Sequence, residues 1–195
     1  MLASQAKRIS SFCISNGVID ERDRAKYDYC YEVLLASALN FASVMLLGLV
    51  TGFLAQTVCF MLVFALLKST AGGYHADSHI ACFIGTIGTF LLYRLMAAII
   101  PAGILPAAAA VFAVFSGLTV FLLAPVGTEN KPLGRRQKSR LKEDSRLLIL
   151  FLCAVVLFLL LRNISPQWAF SVSSAVAAVS LSLIAGKIKP SKTLS

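Results

Sequence analysis

The sequence predicts an all-α, polytopic membrane protein with six transmembrane helices and an N-terminal amphipathic interfacial helix. Three observations carry this. Of 195 residues, 58% are hydrophobic and only 14% are charged, and the mean hydropathy is +0.81, beyond the apolar content of a soluble domain. Several apolar runs approach the roughly 20 residues that a helix needs to cross a hydrocarbon core of about 30 Å. These runs are continuous rather than alternating, so helices and not barrel strands are the spanning elements.

Residues 1–32 read as an N-terminal segment outside the bilayer. Leu2, Ala6, Ile9, Phe12 and Cys13 recur at helical spacing with polar residues between them, and Gly17 is placed to stop the helix, the pattern of an amphipathic helix lying on a leaflet. Met1 to Asn16 has neither an apolar block nor a small-residue cleavage site, so it does not read as a signal peptide. Asp20 to Lys26 reads as a charged connector.

The membrane domain spans residues 33–186. From Val33 to Leu67 the chain has no charged residue over 35 positions, which as one helix would be about 52 Å long. It must therefore break, and Thr51-Gly52 is the best place, giving Val33–Val50 and the shorter Phe53–Lys68. Ala81–Ile100 follows as a third span, with Pro101 to Pro106 as a tight turn and Ala107–Val126 as the fourth. Gly127 to Arg146 reads as a polar basic loop. Leu147–Leu161 and Trp168–Ala185 are the fifth and sixth spans, and residues 187–195 form a tail. The Ser- and Ala-rich stretch from Ser171 to Ser182 allows close helix packing within the chain or in a homodimer.

Six spans put the N-terminus, the island at 68–82, the basic loop at 127–146 and the tail on one side. Of the 18 Lys and Arg residues, 16 then fall on that side, leaving Arg94 and Arg162 for the other. The positive-inside rule makes that face cytoplasmic. The formal charge of +9 thus reads as orientation, with contact to anionic lipid or an acidic peptide, rather than as nucleic-acid binding.

The five cysteines are scattered without metal spacing, so neither a zinc site nor a disulfide framework is expected, and no cofactor is implied. Cys59 and Cys153 fall near the middle of spans and read as packing residues. Cys82 differs because it follows the polar island Gly72-Gly73-Tyr74-His75-Ala76-Asp77-Ser78-His79. Asp77 or Ser78 can cap the third span, placing Cys82 in its first turns, where a thiolate is favoured. In one straight helix His75 and Cys82 would be about 10.5 Å apart. Gly72-Gly73 therefore has to turn the chain so that the imidazole swings over the sulfur; the same turn offers backbone N–H groups for an oxyanion. Asp77 or Ser78 could orient the imidazole. His79, one helical turn before Cys82, is a rival base on spacing alone. Lys68 could snorkel or anchor a carboxylate, and Arg94 is expected to snorkel outward.

Gly72-Gly73-Tyr74-His75-Ala76-Asp77-Ser78 followed by Cys82, with Ala124-Pro125-Val126-Gly127-Thr128-Glu129-Asn130-Lys131-Pro132 ahead of a basic stretch, resembles the accessory gene regulator B family. These are bacterial membrane endopeptidases that process quorum-sensing propeptides. The resemblance covers nearly the whole chain and implies that His75 is the catalytic histidine, in preference to His79, and Cys82 the nucleophile. It further implies cleavage near the C-terminal end of a short precursor, a thioester on the cysteine, and release as a thiolactone or lactone, in the bacterial plasma membrane. The family often carries arginine upstream of the island, where this chain has Lys68. Lys131, Arg135, Arg136 and Lys138 are candidates for binding a propeptide with an acidic tail. A different class of function, a small membrane transport or peptide-export subunit without proteolytic activity, would use the same island as a substrate gate; it would form no covalent thioester.

Overall fold

The computed structural model describes residues 2–74, 78–127 and 135–188. Helix α1 covers Leu2–Ser15, and a 3-10 turn at Glu21–Asp23 leads into α2, Arg24–Val50. Then come α3 (Leu54–Ala71), α4 (His79–Ile99), α5 (Leu105–Leu123), α6 (Arg135–Leu161) and α7 (Pro166–Ile188). All but α1 are long and apolar enough to cross a membrane. The chain is thus a multi-pass helical membrane protein.

The break at Thr51-Gly52 is where the charge-free run demanded it. Thr51 caps α2, its N–H bonded to Leu47 O at 3.0 Å, and Gly52 takes a positive φ of 74°. The second span is a single unbroken helix of 18 residues, about 27 Å long, close to the thickness of a hydrocarbon core.

Five helices overrun their expected limits: α3 continues to Ala71 and α4 begins at His79, each by less than a turn, and three others differ as follows. α2 starts at Arg24, nine positions before Val33, because nothing between them breaks a helix and α1 packs along this extension. Ala6 and Ser10 are buried there; the Ser10 hydroxyl donates to the Asp28 carboxylate, and Cys13 Sγ lies 3.4 Å from the Tyr31 hydroxyl. Phe12, by contrast, is exposed. Arg135 to Arg146, expected as loop, forms the first three turns of α6; it is rich in Arg, Lys, Gln, Leu and Glu, which favour helix, and has no glycine or proline. α7 begins at Pro166, which suits the first helical position, and runs to Ile188. α5 is shifted the other way, starting at Leu105 with Pro106 in its first turn and stopping at Leu123, two residues before Pro125.

α7 is the hub, packed against α3, α4, α5 and α6. Its Ser171, Ser173, Ser174, Ala175, Ala178 and Ser180 are all buried, so the small-residue stretch brings helices together within the chain. Rings from four helices meet beside it. Phe60 stacks on Tyr93 at 4.8 Å, Tyr93 and Phe112 both meet Phe170, and the Tyr93 hydroxyl lies 2.6 Å from Ser171 Oγ. This cluster grips the C-terminal half of α4. Its N-terminal half carries Gly85 and Gly88, which face open space. Cys59 and Cys153 pack against the core. Arg94 does not reach outward alone, since its guanidinium lies 3.7 Å from the centre of the Phe53 ring.

At Gly48 the α2–α3 contact leaves no room for a side chain: a Cβ would sit 2.4 Å from Thr57 Oγ1. Gly48→Leu is therefore expected to lower the melting temperature in detergent, at a cost of about 1–3 kcal/mol. Gly88→Ala, at a site with nothing within 4 Å, should leave it unchanged or raise it.

Candidate functional site

α3 ends where Gly72 turns at φ 73°, its N–H bonded to Lys68 O at 3.0 Å. From there the chain runs beside the segment that follows α5. Val126 N–H donates to Ala71 O at 3.0 Å, Gly73 N–H to Val126 O at 3.2 Å, and Tyr74 N–H to Ser182 O of α7 at 2.8 Å. The two motifs of the sequence are thus physically one unit, joined by a parallel bridge between Gly72 and Val126. The glycines are required by contact as much as by dihedral angle. A Cβ on Gly72 would lie 2.2 Å from Val126 O, one on Gly73 2.9 Å from Ser182 Oγ, and one on Gly186 2.8 Å from Tyr74 N.

Lys68 fastens the same unit from α3. Its ammonium donates to Tyr74 O at 2.8 Å and to the Ser182 hydroxyl. Lys68 therefore grips the residue just before His75. Rather than snorkelling, it points inward as a compact point charge with three donors.

Across from this unit, Ser78 caps α4, its hydroxyl accepting from Ala81 N–H at 3.1 Å. Cys82 N–H makes the first intrahelical bond, to Ser78 O at 3.1 Å. The thiol is free and exposed, in the first turn of a helix whose positive end favours an anion. His79 Nε2 lies 3.2 Å from Glu32 Oε1 of α2, so the rival imidazole is turned to a carboxylate.

Between α2, α3, α4 and α7 lies a cavity of about 900 Å³, with Lys68, Tyr74, Cys82, Thr86, Val126 and Ser182 in its walls. Leu141, on the basic extension of α6, borders it as well. Arg136, Lys138, Arg140 and Lys142 are exposed on that extension.

Lys68, Gly72, Gly73, Ser78 and Cys82 thus converge on one region, whereas His75, Asp77 and Lys131 lie outside the described residues. Arg135 opens α6. One expectation is corrected: the N–H groups of Gly72 and Gly73 are bonded to Lys68 O and Val126 O, so they are not turned toward an oxyanion. The sequence reading missed Ser182, Gly186 and Glu32. Ser182 and Gly186 sit four residues apart on one face of α7, a small-residue pair that only tertiary contact connects to residue 74.

The accessory gene regulator B family model matches residues 6–184. The chain belongs to this family. An AgrB-like protein of Listeria innocua is 32% identical over 144 residues, 72% of this chain and 68% of that protein. Two AgrB-like proteins of Clostridium perfringens are more distant but overlap further: one is 28% identical over 83% of this chain and 78% of its own length, the other 27% identical over 95% and 87%. No solved structure matches. Membership of the accessory gene regulator B family suggests a role in the accessory gene regulator system.

Gly186→Val should wedge α7 away from Tyr74. Overpacking of about 1–3 kcal/mol corresponds to at least a several-fold rise in hydrogen exchange at the Tyr74 amide, read by mass spectrometry, with amides in the middle of α5 unchanged.

Proposed function

We propose that this chain is a membrane-integral cysteine endopeptidase that cleaves a signalling propeptide and closes the released part into a ring through a thioester. The observation that carries the proposal is an exposed thiol, Cys82, in the first turn of a capped helix on the wall of a large cavity. Beside it the backbone leading into His75 is held by Ser182 and Lys68. A transport subunit would need the cavity but has no use for such a sulfur.

The chemistry follows from the residue types. Cys82 gives its proton to His75, and the thiolate attacks the scissile carbonyl. The C–N bond breaks as His75 returns the proton to the leaving amine, leaving a thioester on Cys82. A thiol or hydroxyl of the bound peptide then attacks the thioester; its proton goes to Cys82 as the C–S bond breaks. Exchange between thioesters is nearly isoenergetic, so shielding the acyl group from water favours ring closure over hydrolysis.

The basic turns of α6 bordering the cavity suit an acidic precursor segment and anionic lipid. With 16 of 18 basic residues on the side of both termini and the island, that side is assigned to the cytoplasm, and substrate enters from there.

Cys82→Ala is expected to abolish cleavage of the cognate propeptide by protein in nanodiscs. His75→Ala should lower kcat/KM by about 10²–10⁴, and His79→Ala by much less. Retained cleavage in Cys82→Ala contradicts the proposal, and a complete loss in His79→Ala transfers the base to that residue.

A further inference from the structure

The helix that carries Cys82 is packed into the core at one end only. From α4, Ile87, Phe90, Tyr93, Met96 and Ala97 join the hydrophobic core, and none of the described residues of the helix before Ile87 does. Phe90 and Tyr93 are held by the Phe60 ring, at 5.9 and 4.8 Å between centres. The first two turns run along the cavity instead, with Ala81, Cys82, Gly85 and Thr86 in its wall, and Ile80 and Ile84 are exposed. Gly85 and Gly88 lie where this free half meets the gripped one, and a Cβ on either would meet nothing within 4 Å. Packing therefore does not ask for glycine at either site, and both weaken the helix relative to alanine. A helix pliable at that point lets its free end move, and Cys82 moves with it.

A polar contact opposes that movement. His79, the first residue of α4, places Nε2 3.2 Å from Glu32 Oε1 on α2. Glu32 is the last charged residue before the charge-free run that begins at Val33, so it stands at the edge of the apolar part of α2. Its own place is steadied from behind. Asp28, one turn earlier on α2, accepts from the Ser10 hydroxyl of α1, and the Tyr31 hydroxyl meets Cys13 Sγ. Asp28 and Glu32 are like charges four residues apart, which repel on a helix, and here each faces a partner on a different element. Attack on a carbonyl is sensitive to the placement of the nucleophile, a shift of about 1 Å being enough to cost about 10²-fold.

We propose that Glu32 is a positioning residue for Cys82. It acts through His79, three residues before the sulfur on the same helix, and holds the free half of α4 to α2 so that the thiol keeps its place. This rests on the cysteine-peptidase reading above and gives His79 a part in the reaction other than that of base. The Glu32 and His79 side chains are 29% and 38% exposed, so water screens the pair and its effect is graded rather than all-or-none.

The test uses the full chain in nanodiscs with Glu32→Ala, His79→Ala and the double variant, alanine being a good helix former at both positions. In the free proteins, hydrogen exchange read by mass spectrometry should rise several-fold at the amides of residues 83–86 in all three variants, with those of residues 91–96 unchanged. Single-turnover formation of the acyl-enzyme from the cognate propeptide should slow about three- to tenfold in each single variant, and by no more in the double variant. The dissociation constant of the propeptide, measured with Cys82→Ala added, should stay within about twofold, because a misplaced nucleophile slows attack without weakening binding. Multiplied losses in the double variant, unchanged exchange at residues 83–86, or a dissociation constant that rises in step with the loss of rate overturns the assignment of Glu32. Complete loss in His79→Ala with Glu32→Ala unaffected does so as well, since His79 is then the base. Failure of the peptidase reading looks different: Cys82→Ala would still cut the propeptide, while the exchange pattern of the free proteins would stand.

Discussion

Everything at the site depends on irregular backbone being sealed against protein at the end of a membrane helix. Gly72 N–H still closes the last turn of α3, whereas the N–H groups of residues 73 and 74 have no helical partner and take their acceptors from other segments of the chain, since lipid offers none. Val126 O and Ser182 O supply them. The approach is close enough that Gly72, Gly73 and Gly186 cannot carry side chains in place. The ammonium of Lys68 then closes the arrangement from below by binding Tyr74 O. Where the peptide leading into His75 starts is therefore decided by three separate parts of the chain, α3, the segment after α5 and α7.

The bundle around this point is tight on one side and open on the other. Small residues let α7 pack closely with α3, α5 and α6. α4 is gripped through Phe90 and Tyr93 in its C-terminal half, while its other end, with Cys82, borders the cavity. The contrast separates two needs. Rigid packing sets the depth and direction of α4, and the open end leaves the sulfur bordering the cavity. Glu32 holds His79 on the α2 side, which keeps that imidazole engaged at the rim.

Much of this was legible in the residues. Hydrophobic length and the break at Thr51-Gly52 determined the six spans, and a cap expected at Asp77 or Ser78 placed Cys82 in the first turns of α4, with Ser78 the one that makes the capping bond. What the sequence could not show were contacts between distant segments: Val126 meeting Gly72, and Ser182 meeting Tyr74 and Lys68. Such contacts depend on how helices settle against each other. The helical continuation of α6 through Arg135 to Arg146 was missed for another reason. Hydropathy marks where the bilayer ends, whereas propensity decides where the helix ends, and here the two points are separated by three turns. The glycines were read as flexible or as oxyanion donors, yet their N–H groups are committed and their lack of a side chain is what the packing requires.

The proposed chemistry rests on one atom, the sulfur of Cys82. The most direct test is the intact mass of the protein after brief incubation with its propeptide and an acid quench. The account predicts a gain equal to the N-terminal fragment of the propeptide, reversed by neutral hydroxylamine and absent from Cys82→Ala. Cleaved propeptide accumulating with no such adduct, or an adduct that persists in Cys82→Ala, would contradict it.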